Sequence, residues 1–89
     1  MANSKRVALN SDDWEKLSDG NKTVKIQPLQ SAVYVYLTDS NTDPDDSADK
    51  DSYVLEPKSG YYEFATALKV YAKKQNVFGR KCDIIYISE

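Results

Sequence analysis

Short apolar runs of strand length recur along this chain roughly every ten residues, with turn-forming residues between them, and that rhythm constrains the fold more than any single motif. Lys22 to Leu29 alternates, with Val24 and Ile26 on one side and Thr23, Lys25 and Gln27 on the other. Ala32 to Thr38 puts Val33, Val35 and Leu37 on one face and Tyr34 and Tyr36 on the opposite one. The linker Pro28-Leu29-Gln30-Ser31 is short enough to predict a hairpin between these two runs, with Pro28 at a strand end or edge. Ser52 to Glu56 is a third run, followed by Pro57-Lys58-Ser59-Gly60 as a β-turn.

Tyr61 to Thr66 and Leu68 to Lys74 read as further strands, the latter with Leu68, Val70 and Ala72 inward and Lys69, Tyr71 and Lys73 outward. A rival helix over Tyr62 to Lys74, with Phe64, Leu68 and Tyr71 near helical spacing, loses to the β-branched and aromatic content. Asn76 to Gly79 punctuates, and Cys82 to Ser88 is the last strand. Its unbroken Ile84-Ile85-Tyr86-Ile87 suggests cover on both faces. Helix is confined to one capped turn, Ser11 to Leu17, with Ser11 as N-cap and Asp12 and Asp13 favouring the dipole. Trp14 reads as core or as a cap over one end. The expectation is an all-β chain: a small antiparallel β-sandwich or partly open barrel of six to seven strands with one short helical turn. Residues 1–10 form an N-terminal arm, and 11–89 a single domain interrupted by a loop at 39–51.

Composition narrows the chemistry. Histidine is absent from the 89 residues, which removes the commonest general base, the Ser-His and Cys-His pairs and nearly every transition-metal site. One cysteine, Cys82, permits neither an internal disulfide nor a thiolate zinc site, and reads as a small buried apolar residue. No enzyme activity is expected. The N-terminus has no apolar run behind its basic residues, so it is not a secretory signal, and Ala32 to Leu37 is too short to span a membrane. A net charge of -2 argues against nucleic acid, although Lys69, Lys73, Lys74, Arg80 and Lys81, interleaved with Tyr71 and Phe78, make the last third basic.

Asp39 to Asp51 is the sharpest anomaly: six of the fourteen acidic residues against one lysine, a local charge of -5 in a chain whose remainder is +3. Asp39, Asn41, Asp43 and Asp45 have the alternating spacing of a calcium loop. Pro44 stands where the turn needs glycine, however, and Lys50 where a bidentate glutamate belongs, so the simpler reading is a solvated loop with no cofactor. The acidic loop and the basic third are also placed to meet, within one subunit or between two. The seven tyrosines are the second candidate. Tyr34, Tyr36 and Tyr71 are expected as interface aromatics, with Tyr53, Tyr61, Tyr62 and Tyr86 able to extend the surface. In the arm, Val7, Ala8 and Leu9 are expected to pair in trans with a neighbour's edge strand.

The order Trp14, the strand Thr23 to Gln27, Val33 to Val35, the Asp39 to Asp51 loop, Pro57 to Gly60 and Val70 to Ala72 resembles small β-sandwich proteins encoded among bacteriophage structural genes. That resemblance implies a virion component made in the host cytoplasm: a head decoration or minor capsid protein, or a tail accessory. It implies capsid or tail partners, homo-oligomers, no membrane and no catalytic residue. The loop's charge departs from the usual pattern and leaves its partner open. A glycan-binding adhesion module, with or without calcium, is the alternative, and a free cytoplasmic ligand-binding domain the third reading.

Overall fold

The computed structural model describes residues 3–10, 13–75 and 81–89. Among them are eight strands: β1 (Lys5–Ala8), β2 (Glu15–Ser18), β3 (Lys22–Pro28), β4 (Val33–Thr38), β5 (Tyr53–Leu55), β6 (Tyr62–Thr66), β7 (Lys69–Lys74) and β8 (Asp83–Ser88). A 3-10 turn, Asp46–Asp51, interrupts the run between β4 and β5. The strands form two antiparallel four-stranded sheets, ordered β1-β8-β3-β6 and β2-β7-β4-β5. The all-β expectation holds, with one strand more than the sequence suggests. Among the described residues no helix is long and apolar enough to cross a membrane.

Alternation fixes which side chains meet between the sheets. In the first sheet Val24, Ile26 and Ile84 are fully buried; in the second, Val33, Val35, Val70 and Ala72 are. Leu9, Leu17, Leu55 and Cys82 complete this core, and Val7, Leu37, Tyr62, Phe64 and Tyr86 pack around it. Burial pushes the Cys82 thiol up, and its Sγ lies 3.8 Å from the Ala32 carbonyl, as a small inert core residue would.

Several local expectations need correction. The β3–β4 connection is not a hairpin: β3 lies between β8 and β6, and β4 between β7 and β5, so Leu29–Ala32 carries the chain from one sheet to the other. Gln30 ties this crossing to β8, accepting from Asp83 N at 2.7 Å. The helical turn at 11–17 is replaced by β2, whose register shifts between Lys16 and Ser18 and so buries Leu17 and Ser18 consecutively. The N-cap role given to Ser11 and the dipole role given to Asp12 lie outside the described residues, as do the 76–79 turn, Phe78 and Arg80. The proposed arm is not free either. Val7 stands opposite Ile84 and Ala8 opposite Asp83, and Leu9 N donates to the Cys82 carbonyl at 2.8 Å. Val7, Ala8 and Leu9 thus pair in cis, because Val7 and Leu9 bury apolar surface against their own core.

β1 is held further by an ion pair between Arg6 Nη2 and Asp83 Oδ2 at 2.8 Å. Hydrogen bonds from Arg6 and then Gln30 hold the Asp83 carboxyl below its ordinary value of 3.8. A carboxylate depressed on folding stabilises the native state above its unfolded pKa, and that contribution is lost as pH falls through the lowered folded value. Asp83→Asn should therefore flatten the stability–pH profile below about pH 4, read from urea midpoints across that range; an unchanged slope would show that the pair contributes nothing.

The β2–β3 turn uses two left-handed residues, Gly20 at φ 114° and Asn21 at φ 58°. A Cβ on Gly20 would meet the Ala67 carbonyl oxygen at 2.7 Å, whereas one on Gly60, at φ 99°, meets open space. Gly60→Ala should cost about 1 kcal/mol from backbone strain alone. Gly20→Ala should cost roughly 1–2 kcal/mol more, and equal urea midpoints for the two variants would contradict the steric account.

Candidate functional site

The outer face of the second sheet carries the residues that the sequence marks out. Tyr36 stands opposite Tyr71 and Tyr34 opposite Lys73, with Thr38 opposite Lys69. Antiparallel neighbours such as β4 and β5 need a connection of only about 2–5 residues, yet here residues 39–52 intervene. The excess folds back over the sheet as a strap. Lys69 Nζ donates to the Asp39 carbonyl at 3.4 Å, Tyr71 Oη to Asp43 Oδ1 at 3.3 Å, and Trp14 Nε1 to the Asp45 carbonyl at 3.2 Å. Lys73 Nζ lies 2.5 Å from Asp49 Oδ1.

The strap's own geometry explains this placement. Asp45 caps the 3-10 turn, accepting from Ser47 N at 2.9 Å, and the Ser47 bonds hold its carboxyl below the ordinary value. The turn buries Ala48 and sets Asp49 above Lys73, while Ser52 Oγ closes the far end on the Ala48 carbonyl at 2.7 Å. Trp14 lies against Tyr36, ring centroids 5.8 Å apart, and the Lys73 ammonium sits 5.0 Å from the Trp14 ring centroid. Trp14 is thus neither core nor a cap over the sandwich end, but a lid on the outer face of one sheet.

The acidic loop and the basic strand β7 therefore meet within one subunit. Lys73 and Tyr71, expected to point outward into solvent, do point outward but are only 2% exposed, because the strap covers them. Burial, then the Asp43 charge, pushes the Tyr71 phenol up, so it stays a donor to that carboxylate. Tyr71 offers no surface to a partner while the strap is down, and Tyr34 and Tyr36 are half-buried. Nor do Asp39, Asn41, Asp43 and Asp45 form a calcium cage: among the described residues no three His, Cys, Asp or Glu side chains group closely enough to hold a metal. Asp43 is turned to Tyr71 and Asp45 to Ser47, so the alternating spacing serves capping and docking.

Exposed apolar surface lies elsewhere. Tyr53 is 57% exposed, Val54 47% and Tyr61 52%. They belong to β5 and the entry to β6, the border strands of the two sheets on one margin of the sandwich. Tyr53 packs against Phe64 across that margin, centroids 5.7 Å apart. Lys25 Nζ lies 5.3 Å from the Tyr61 ring and Lys58 Nζ 3.9 Å from that of Tyr62, giving the aromatic margin a cationic rim. The sequence showed these tyrosines but not their rank. What singles them out is a border position, which depends on strand order.

Fold and surface define a small two-sheet antiparallel all-β protein with one strapped face and one aromatic margin. The chain matches no known family model, no curated protein and no solved structure.

Removing Asp49 leaves the Lys73 charge covered and without that carboxylate, whereas removing Lys73 leaves an aspartate that water can reach. Asp49→Ala should therefore cost up to about 3 kcal/mol, the bottom of the range for breaking a buried pair, because Asp49 is itself partly exposed, and Lys73→Met less. Trp14, the only tryptophan, reports on the strap: its emission should shift to the red in Asp49→Ala before global unfolding. Equal cost for the two variants, or an unmoved emission, would contradict the docked strap.

Proposed function

We propose that this chain is a non-enzymatic structural subunit of a bacteriophage virion, a head decoration or minor capsid protein, that attaches through its β5–β6 margin. The observation that carries the reading is the exposure of Tyr53 and Tyr61 at that margin, with Val54 open on the outer face of the second sheet beside it. Exposed tyrosines with a polar rim are the composition of an interface centre, and scattered exposure would need no such explanation. The β-sandwich that the phage resemblance implies and the cis-docked strap fit a rigid unit that adds contact area to a shell. Roughly 1,600 Å² of total buried surface suffices for stable attachment.

Quantitative mass spectrometry of purified virions of the encoding phage tests the proposal. Copies in the hundreds are expected for a head decoration protein, and absence from the particle would overturn it. Tyr53→Ser combined with Tyr61→Ser should weaken attachment by at least about tenfold, given roughly 1–2 kcal/mol for each truncated aromatic anchor. Surface substitutions of this kind leave stability within about 1 kcal/mol, so retained attachment would place the interface on another face.

A further inference from the structure

Four strands border the two sheets: β1 and β6 in the first, β2 and β5 in the second. An open border offers unpaired backbone groups to other chains, and short length, lysine, proline or an irregular register are the usual protections. β1 carries Lys5 and Arg6, β2 has its register shift, and β5 is three residues long. β6 has none of these. It runs five residues, Tyr62–Thr66, in unbroken register with β3, and no described strand pairs along its other side. Its single charge, Glu63, stands opposite Lys25 on the outer face.

The hydrogen-bond ladder of β3 determines which backbone groups β6 leaves free. Thr23 N donates to the Glu89 backbone oxygen at 2.9 Å, and Glu89 N donates back to the Thr23 carbonyl at 3.0 Å. Antiparallel partners alternate between bonded and non-bonded pairs. Lys25 and Gln27 therefore also bond toward β8, whereas Val24 and Ile26 bond the other way, toward Phe64 and Tyr62. On β6 it follows that Glu63 and Ala65 turn their N–H and C=O groups away from the sheet, and both residues are exposed.

Those two residues flank Phe64 evenly, so this edge is complementary to itself. A two-fold axis at Phe64 sets Glu63 opposite the partner's Ala65, and Ala65 opposite the partner's Glu63, each pair exchanging both backbone bonds. Phe64 then meets its own counterpart across the axis, with Tyr53 packed on it at 5.7 Å between ring centroids. Neighbouring registers fit worse. An axis at Glu63 opposes two carboxylates, and one at Ala65 calls on Ala67, whose carbonyl is turned inward to accept from Asn21 N at 3.3 Å.

We infer that the partner at this border is a second copy of the chain, joined β6 to β6 in antiparallel register about Phe64, so that two four-stranded sheets become one of eight. The inference rests on the reading above for placing contact at the β5–β6 margin, and it names one partner there. Val54, on the outer face of the second sheet, and Tyr61, beside Lys25, are not part of the ladder and are left to meet the shell.

The test is sedimentation of the full chain over a range of concentrations, with amide hydrogen exchange followed on the same samples. A monomer–dimer equilibrium is expected. The amides of Glu63 and Ala65 should exchange freely when dilute and become protected in step with the dimer, while that of Phe64 is protected throughout. Ala65→Pro removes an N–H that only the second copy uses, a change that an edge strand tolerates. It should stay monomeric and, at dilutions where the parent is also monomeric, melt at the same temperature. Ala65→Lys, opposite the partner's Glu63, should tighten the dimer by roughly two- to thirtyfold through two symmetric charge pairs, and Ala65→Glu should loosen it. These opposite signs test the register even where the proline variant does not fold. A chain monomeric up to about 1 mM, protection arising at Val54 instead, or equal effects of the lysine and glutamate variants would each overturn the inference. A chain that is monomeric in solution yet present in virions loses this inference alone. One that dimerises through β6 yet is absent from virions loses only the virion assignment.

Discussion

A single thin layer of β-branched side chains holds this molecule together. Ile26, Ile84, Val24, Val33, Val35, Val70 and Pro28 are its largest fully buried side chains, and every larger ring in contact with the layer sits only partly buried at its border. Short branched residues suit the pleated faces of two stacked sheets, but they make a shallow core for a chain that can bury only about 60–65% of its unfolded surface. Further burial has to come from outside the sandwich. The outer face of the second sheet supplies it, with Trp14 and the strap 39–52 laid over Tyr36 and Tyr71.

The strap's charge follows from that arrangement. Alternation places Val70 and Ala72 inward on β7, so Lys69, Tyr71 and Lys73 must face outward. Once the strap covers that face, Lys73 is left 2% exposed, and a buried ammonium without a partner is expensive. Asp49 and the Trp14 ring meet it. The concentration of acid in 39–51 and the buried lysine are therefore one feature seen from two sides. The isolated charge pattern that suggests a metal loop is, in the folded chain, the complement of a basic strand.

What the sequence made legible is whatever alternation and local turn chemistry determine. β3 and β4 carry their buried and half-buried faces as the pattern predicts, and Val70 and Ala72 face the core on β7. Strand partners were not legible. A four-residue linker such as Leu29–Ala32 closes a hairpin or spans the ~10 Å between packed sheets equally well, and only long-range pairing decides between them. Trp14 was misread for a related reason: Ser-Asp-Asp before an apolar pair is a sound helix start, but four residues of edge strand with a register shift have almost no local signature. At the candidate site, the outward direction of Tyr71 was readable. Its burial was not, since that depends on a loop folding back from the other end of β4.

The two margins of the sandwich differ in a way that bears on assembly. Open sheet borders invite pairing with other chains, and charge and irregularity are the usual defences. At β1 and β2 both are present: Lys5 and Arg6 on one strand, and Glu15, Lys16 and the register shift on the other. At the opposite border β5 is only three residues long, and Tyr53, Val54 and Tyr61 lie open. If both margins were apolar, copies could stack margin to margin without end, the head-to-tail geometry that gives filaments. With only one apolar margin, contact made through it is either isologous between two copies, and so closed, or made to a different surface. The polar margin thus acts as a stop.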